Sequence, residues 1–177
     1  FFGISGFLIT TLLLREQERY GAISLRDFYI RRALRIWPVY YATLAFYIAL
    51  VLVTENGTDR GRLFFHYLPG YLTYTFTWLA GSATSGVIFN FAWSLATEEQ
   101  FYCFWPATVR FLRGWGAALV MMASIALHMA ARYGLLAGVL PQGSLLERVI
   151  FSIAVPICLG SLLAQALDTA SGFRALY

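Results

Sequence analysis

Glu98, Glu99 and Gln100 interrupt the apolar, aromatic run "FAWSLATEEQFYCFWP" at residues 91–106. Carboxylates are the groups a protein uses to accept, donate or orient a proton. A charged side chain in hydrocarbon costs roughly 2.5–3.5 kcal/mol even on lenient insertion scales, so two adjacent acids in such a run require a special location or a task. Helical spacing places Ser94, Glu98, Tyr102 and Trp105 on one face, at i, i+4, i+8 and i+11. A carboxylate, two hydroxyls and an indole on one inward stripe suit a hydroxylated substrate such as a sugar, with Gln100 beside them. A second reading stands next to this one: "TEEQ", Thr97 to Gln100, has the form of a capping box and would open a helix at the outer interface.

The other chemistry-bearing group is basic. Arg31 and Arg35 lie one helical turn apart with Arg32 adjacent, a set of fork-shaped donors suited to phosphates, of which coenzyme A carries three. Arginines at the end of a span also snorkel to headgroups and fix orientation, which is the plainer reading of the same cluster. His128, inside "IALHMAA", reads as a hydrogen-bonded bundle histidine, and His66 sits in an irregular stretch. Cys103 and Cys158 are far apart and lack metal or disulfide spacing, so no metal site is expected; no Gly-rich phosphate loop is present.

The elements that position these groups must lie in a membrane. The 177 residues are 59% hydrophobic and only 12% charged, with a mean hydropathy of +0.65, whereas soluble domains carry about 25% charged residues. The net charge of +4 comes from 13 basic residues, all Arg, against nine acids. Because these arginines sit beside apolar runs they read as topology signals, and nucleic acid is not expected as a partner. Six of them fall in residues 15–38, which belong on the cytoplasmic side. Ser24 with Asp27 predicts a capped helix start, followed by a bend at Pro38 and a span to about Val53. The stretch "LFFHYLPGYLTYTFTWLAG" at 63–81 is a poor span, and a crossing there would place Arg110 and Arg113 outside, so a re-entrant or interfacial element is expected. Spans at 93–109, from 117 onward, and from 149 to Asp168 with a kink at Pro156 complete an all-α, multi-pass transmembrane bundle of about five spans. The first of the five, "FFGISGFLITTLLL", is short and reads as the tail of a helix.

Three stretches, "FFGISGFLIT", "ISLRDFYIRRALRIWPVYY" and "WSLATEEQFYCFWP", taken in that order resemble the motifs of the acyltransferase type three family of integral membrane acyltransferases. The resemblance runs from Phe1 to about Pro106, and "LLERVIFSIAVPICLGSLLA" resembles a later, Gly-containing helix of the family more weakly. It implies transfer of an acyl group, often acetyl, from a cytoplasmic acyl-coenzyme A to hydroxyls of an extracytoplasmic carbohydrate or lipid-linked glycan, in a bacterial inner membrane. Coenzyme A is then a donor substrate and not a resident cofactor. The resemblance carries the arginine motif onto Arg31, Arg32 and Arg35 and the acidic motif onto Glu98, with Glu99 and Gln100 beside it. Thr97, where the family often has Val, and Gly3 are departures. The family's essential His lies upstream of "FFGISGF" and neither His66 nor His128 matches it, so residues 1–177 are expected to be one partial acyltransferase domain, lacking its first helix and inactive by itself. Two other classes compete: a multi-pass transporter with a broken helix near "LPGY", and a structural membrane subunit.

Overall fold

The computed structural model describes residues 1–80, 88–112 and 115–168, and every regular element among them is a helix. In chain order these are α1 (Phe2–Tyr20), α2 (Leu25–Thr54), α3 (Asp59–Leu72), α4 (Phe76–Ala80), α5 (Ala92–Phe111), α6 (Trp115–Arg132), α7 (Leu145–Phe151) and α8 (Val155–Asp168). Two compact units result, one of Phe1–Ile23 with Gln100–Tyr177 and one of Ser24–Glu99, and α5 passes through the boundary. By length and composition, α2 and α6 qualify as membrane spans, and α7 with α8 makes a third if the bent pair is one span. The charged residues explain why α1 and α5 fall short: Arg15, Glu16, Glu18 and Arg19 crowd the end of α1, and Glu98, Glu99 and Arg110 interrupt α5.

In the first unit, α1 extends past its apolar run to Tyr20 and stops at Gly21, whose left-handed φ of 73° turns its N–H onto the Gln17 carbonyl. Its most extensive packing is against α8. Small residues allow that approach, because a Cβ at Gly6 would overlap the Ile157 carbonyl and one at Gly160 would overlap the Gly3 carbonyl. The Ser161 hydroxyl fills the seam, donating to the Ile157 carbonyl at 3.0 Å or the Gly6 carbonyl at 3.3 Å. Arg110 Nη1 donates to the Ile23 carbonyl at 2.9 Å, so α5 ends at the level where α1 ends. Arg113, the other proposed topology signal of this turn, lies outside the described residues.

The last predicted span is divided. Ser144 caps α7 by accepting from Glu147 N, the chain breaks at residues 152–154, and α8 leaves at 53° to α7. Pro156 lies in the first turn of α8, where a missing N–H costs nothing, so the break falls just before the proline expected to kink the helix. His128 on α6 meets this break: its Nδ1 is 3.1 Å from the Ile150 carbonyl, an acceptor that requires Nδ1 to carry the hydrogen.

In the second unit α2 begins as its sequence predicts, with Ser24 as N-cap accepting from Asp27 N, and continues as one helix through Pro38. Residues 63–81 do not form one long helix: α3 ends at Leu72 and α4 restarts at Phe76. α3 and α4 pack together, with Gly70 backed onto the Phe76 backbone. The core of the unit is aromatic. Tyr40 stacks on Tyr74 at 4.4 Å, Tyr71 stacks on Phe76 at 4.5 Å, and Phe89 packs edge-on against Tyr71 at 5.3 Å. Two of its hydroxyls bond to backbone: Tyr40 donates to the Tyr71 carbonyl at 2.7 Å and Tyr71 to the Ile88 carbonyl at 3.1 Å. Tyr74 and Phe89 take left-handed φ values of 56° and 69°, a strained state for bulky residues that persists only where packing over-determines it.

Arg32 of α2 pairs with Glu99 of α5, while Tyr47, fifteen residues further along α2, meets Phe91, eight residues before Glu99. The two helices therefore run antiparallel inside this unit, and the chain between them returns to the side where it left α2. That is the behaviour expected of a re-entrant or interfacial α3–α4.

Candidate functional site

Because α5 starts at Ala92, the "TEEQ" tetrad lies in its second turn and beyond. Thr97 is not a cap: its hydroxyl donates back to the Trp93 carbonyl at 2.9 Å, the i−4 bond of a helix-interior threonine. The capping-box reading is thereby corrected. An upstream start was available because "FNFAW" supplies the turn, with Ala92 N and Trp93 N reaching back to the Phe89 and Asn90 carbonyls. The two acids consequently sit mid-helix, away from the favourable field of a helix N-terminus, and their neighbours have to stabilise them.

Those neighbours differ. Arg32 Nε donates to Glu99 Oε1 at 3.3 Å, with the two side chains 18% and 12% exposed. Glu98 is 6% exposed, beside the equally buried Thr97. Arg31 and Arg35 are exposed on α2, about a third and about a sixth of a turn around the helix from Arg32. Arg32 therefore meets the acidic turn, with the exposed Arg31 beside it in the chain and the exposed Arg35 beside it at i+3 on the helix surface.

The predicted stripe along α5 is largely inward. Glu98, Tyr102 and Trp105 are buried, and Ser94 is half-exposed with its hydroxyl donating to the Phe91 carbonyl at 3.0 Å. Gln100 is half-buried. Within the first unit the Trp105 indole, 1% exposed, donates Nε1–H to Thr10 Oγ1 on α1 at 2.7 Å. Sequence reasoning missed Thr10, although a buried indole must find an acceptor and "LITTLL" offers hydroxyls on a neighbouring apolar helix. It also missed Tyr40, Tyr71 and Tyr74, for which the "VYY" after Pro38 and the clustered tyrosines of 67–74 were the available signal.

The Thr10–Trp105 bond makes a direct prediction. Thr10→Val leaves the indole N–H buried without its acceptor and is expected to cost ~1–3 kcal/mol. Thr10→Ser restores most of it. Thermal unfolding in detergent, followed by size exclusion, separates the two variants; equal midpoints would remove the bond from the account.

No group of three or more His, Cys, Asp or Glu side chains gathers as a metal site among the described residues. What the described residues hold is helices long and apolar enough to cross a bilayer, together with the buried carboxylate of Glu98 and a half-buried Arg32–Glu99 pair that joins α2 to α5. This is an integral membrane protein with a polar, ionisable centre inside its helices. The chain belongs to the acyltransferase type three family, whose model, described as an acyltransferase domain, matches residues 1–177. It is similar to a "Putative O-acetyltransferase" of Staphylococcus aureus, 37% identical over 114 residues, which are 60% of this chain and 18% of that protein. It is similar as well to the peptidoglycan O-acetyltransferase of Listeria monocytogenes, 30% identical over 122 residues, covering 65% of this chain and 20% of the relative. A "Putative peptidoglycan O-acetyltransferase" of Bacillus subtilis is 30% identical over 113 residues, 60% of this chain and 18% of that protein. The chain thus spans about a fifth of the length of the curated relatives it matches. No solved structure matches it.

Proposed function

We propose that this chain forms the donor-binding and acid-bearing part of a bacterial inner-membrane O-acyltransferase. The reaction moves an acyl group, most simply acetyl, from acyl-coenzyme A at the cytoplasmic face to a hydroxyl of an extracytoplasmic carbohydrate, either peptidoglycan-like or a lipid-linked glycan. Family membership and the names of the relatives support the reaction class. The single observation that carries the residue assignment is the pairing of Arg32 with Glu99, which joins the basic helix to the acidic turn inside one unit.

Arg31 and Arg35, exposed at the start of α2, take the coenzyme A phosphates through charge-assisted hydrogen bonds, and Arg32 extends that set inward. Glu98 accepts the hydrogen bond of the acceptor hydroxyl and orients its oxygen toward the thioester carbon. Ser94, Gln100 and Tyr102 supply further polar contacts to the acceptor, and Trp105 holds α5 in place through Thr10. In the transfer a C–O bond forms, the C–S bond breaks, and the hydroxyl proton ends on the coenzyme A thiol.

The test is acetyl transfer by the full-length protein in proteoliposomes supplied with labelled acetyl-coenzyme A. Arg35→Ala is expected to raise KM for the donor ~10-fold or more, the loss of one hydrogen bond to a charged group, with kcat less affected. A wild-type protein that neither transfers nor hydrolyses the thioester would overturn the proposal.

A further inference from the structure

The break between α3 and α4 ends a helix beside the middle of a membrane span. Tyr41 lies thirteen residues before the end of α2 at Thr54, ~20 Å along the helix, and its hydroxyl donates to the Leu72 carbonyl at 2.9 Å. Thr73 Oγ1 donates to the Pro69 carbonyl at 2.8 Å, so the 2.7 Å contact between Thr73 and Thr75 uses the Thr75 hydrogen. Three hydroxyls gather in this way at the end of α3, and none is fully buried: Thr73 is exposed, and Tyr41 and Thr75 are half-buried. Trp37, packed edge-on against Tyr41 at 6.3 Å, is 47% exposed beside them. Polar groups at this depth require protein or water against them, since hydrocarbon offers no partner.

Each hydroxyl has one hydrogen, and in this cluster all three are directed to backbone or to one another. What the hydroxyls present outward is lone pairs, at the C-terminal end of α3, where the helix dipole is negative. Such a cluster disfavours phosphate and carboxylate and receives hydrogen-bond donors. A sugar supplies those donors in its hydroxyl groups and an apolar C–H face for the indole. From this geometry we infer that Tyr41, Thr73 and Thr75, with Trp37, form a binding subsite for the carbohydrate acceptor. The inference rests on the reaction proposed above, with the arginine end of α2 at the donor face; Tyr41 lies further along α2 than Arg32, on the acceptor side of the acidic turn. Tyr41 and Tyr74 are close enough to Glu99 to feel its charge, so a sugar held here lies next to that turn. The subsite holds the acceptor and takes no part in making or breaking bonds.

Thr73→Cys in the full-length protein, in right-side-out membrane vesicles, reads access to the cluster directly. The substituted position is expected to react with a membrane-impermeant maleimide, mapped by mass spectrometry, and millimolar chitotetraose, a tetramer of N-acetylglucosamine, is expected to slow the reaction several-fold. Inorganic pyrophosphate at the same concentration is expected not to slow it. No reaction means that protein or lipid covers the cluster, reaction that the sugar leaves unslowed means that no sugar binds, and equal protection by pyrophosphate means an anion site; each overturns the subsite. Thr75→Val gives a kinetic measure: KM for chitotetraose is expected to rise about fivefold, the loss of one neutral hydrogen bond, while KM for acetyl-coenzyme A stays that of the parent. Thr75→Ser keeps the hydroxyl and is expected to restore the parental KM. A Thr75→Val variant in which both KM values move together, or neither moves, overturns the subsite. Sugar-protected labelling in a protein that consumes no thioester supports the subsite and removes the proposed reaction, so the two fail separately.

Discussion

Glu98→Gln in the full-length protein is expected to lower kcat for acetyl transfer by ~10²-fold or more, the scale on which misplacing a reacting group slows a reaction. The substitution keeps size and shape, so it separates charge from packing. Glu98 is 6% exposed in the middle of α5, where a neutral amide is less costly to bury than a carboxylate. A purely structural Glu98 therefore predicts a Gln variant at least as stable as the parent and fully active. The reacting-group reading predicts a variant that inserts and unfolds like the parent yet does not turn over. Steady-state rates with labelled acetyl-coenzyme A, beside a detergent unfolding midpoint, decide between them, and retained turnover removes Glu98 from the mechanism. KM for the donor is expected to change little, because Glu98 handles the acceptor side.

The second large effect is on stability. Gly160→Ala adds one methyl where α8 crosses α1 and directs it into the Gly3 carbonyl, a backbone atom that can yield only if the helices move apart. Separation costs the Ser161 bonds and the close helix contact, so a loss of ~3 kcal/mol or more is expected, at the upper end for overpacked sites. Gly6→Ala meets the Ile157 carbonyl and should behave alike. Gly138→Ala is the control, since nothing lies within 4 Å of its added Cβ. Unfolding midpoints in mild detergent that are equal for Gly160→Ala and Gly138→Ala would show that the α1–α8 crossing is not as tight as the structure has it.

The glycines show why some features cannot be found in one dimension. Nothing in "FFGISGF" or "ICLGSLL" says which carbonyl lies over Gly6 or Gly160, because the contact is made between helices some 150 residues apart in the chain. The same holds for Arg32 and Glu99, 67 positions apart. Each was singled out by its chemistry, yet their pairing depends on α2 and α5 running antiparallel at one register. The capping-box alternative failed for a related reason. "TEEQ" has the residue types of a helix start, but the tight turn at 88–91, with Phe89 in a left-handed conformation held by the aromatic core, lets the helix begin six residues earlier.

Other features were fixed locally. The Ser24 cap with Asp27 and the stop of α1 at Gly21 each depend on side-chain or backbone chemistry within a turn or two. Composition alone required helices in a membrane, because a chain with so few charges cannot cover itself in water and its backbone must be satisfied within each segment. The sequence by itself thus determined the class, the capped starts, the inward face of α5 and the residue types available for chemistry. Only tertiary structure decided which carboxylate meets an arginine, which indole meets Thr10, and which glycines lie at a helix crossing, because those choices are made by packing between elements distant in sequence.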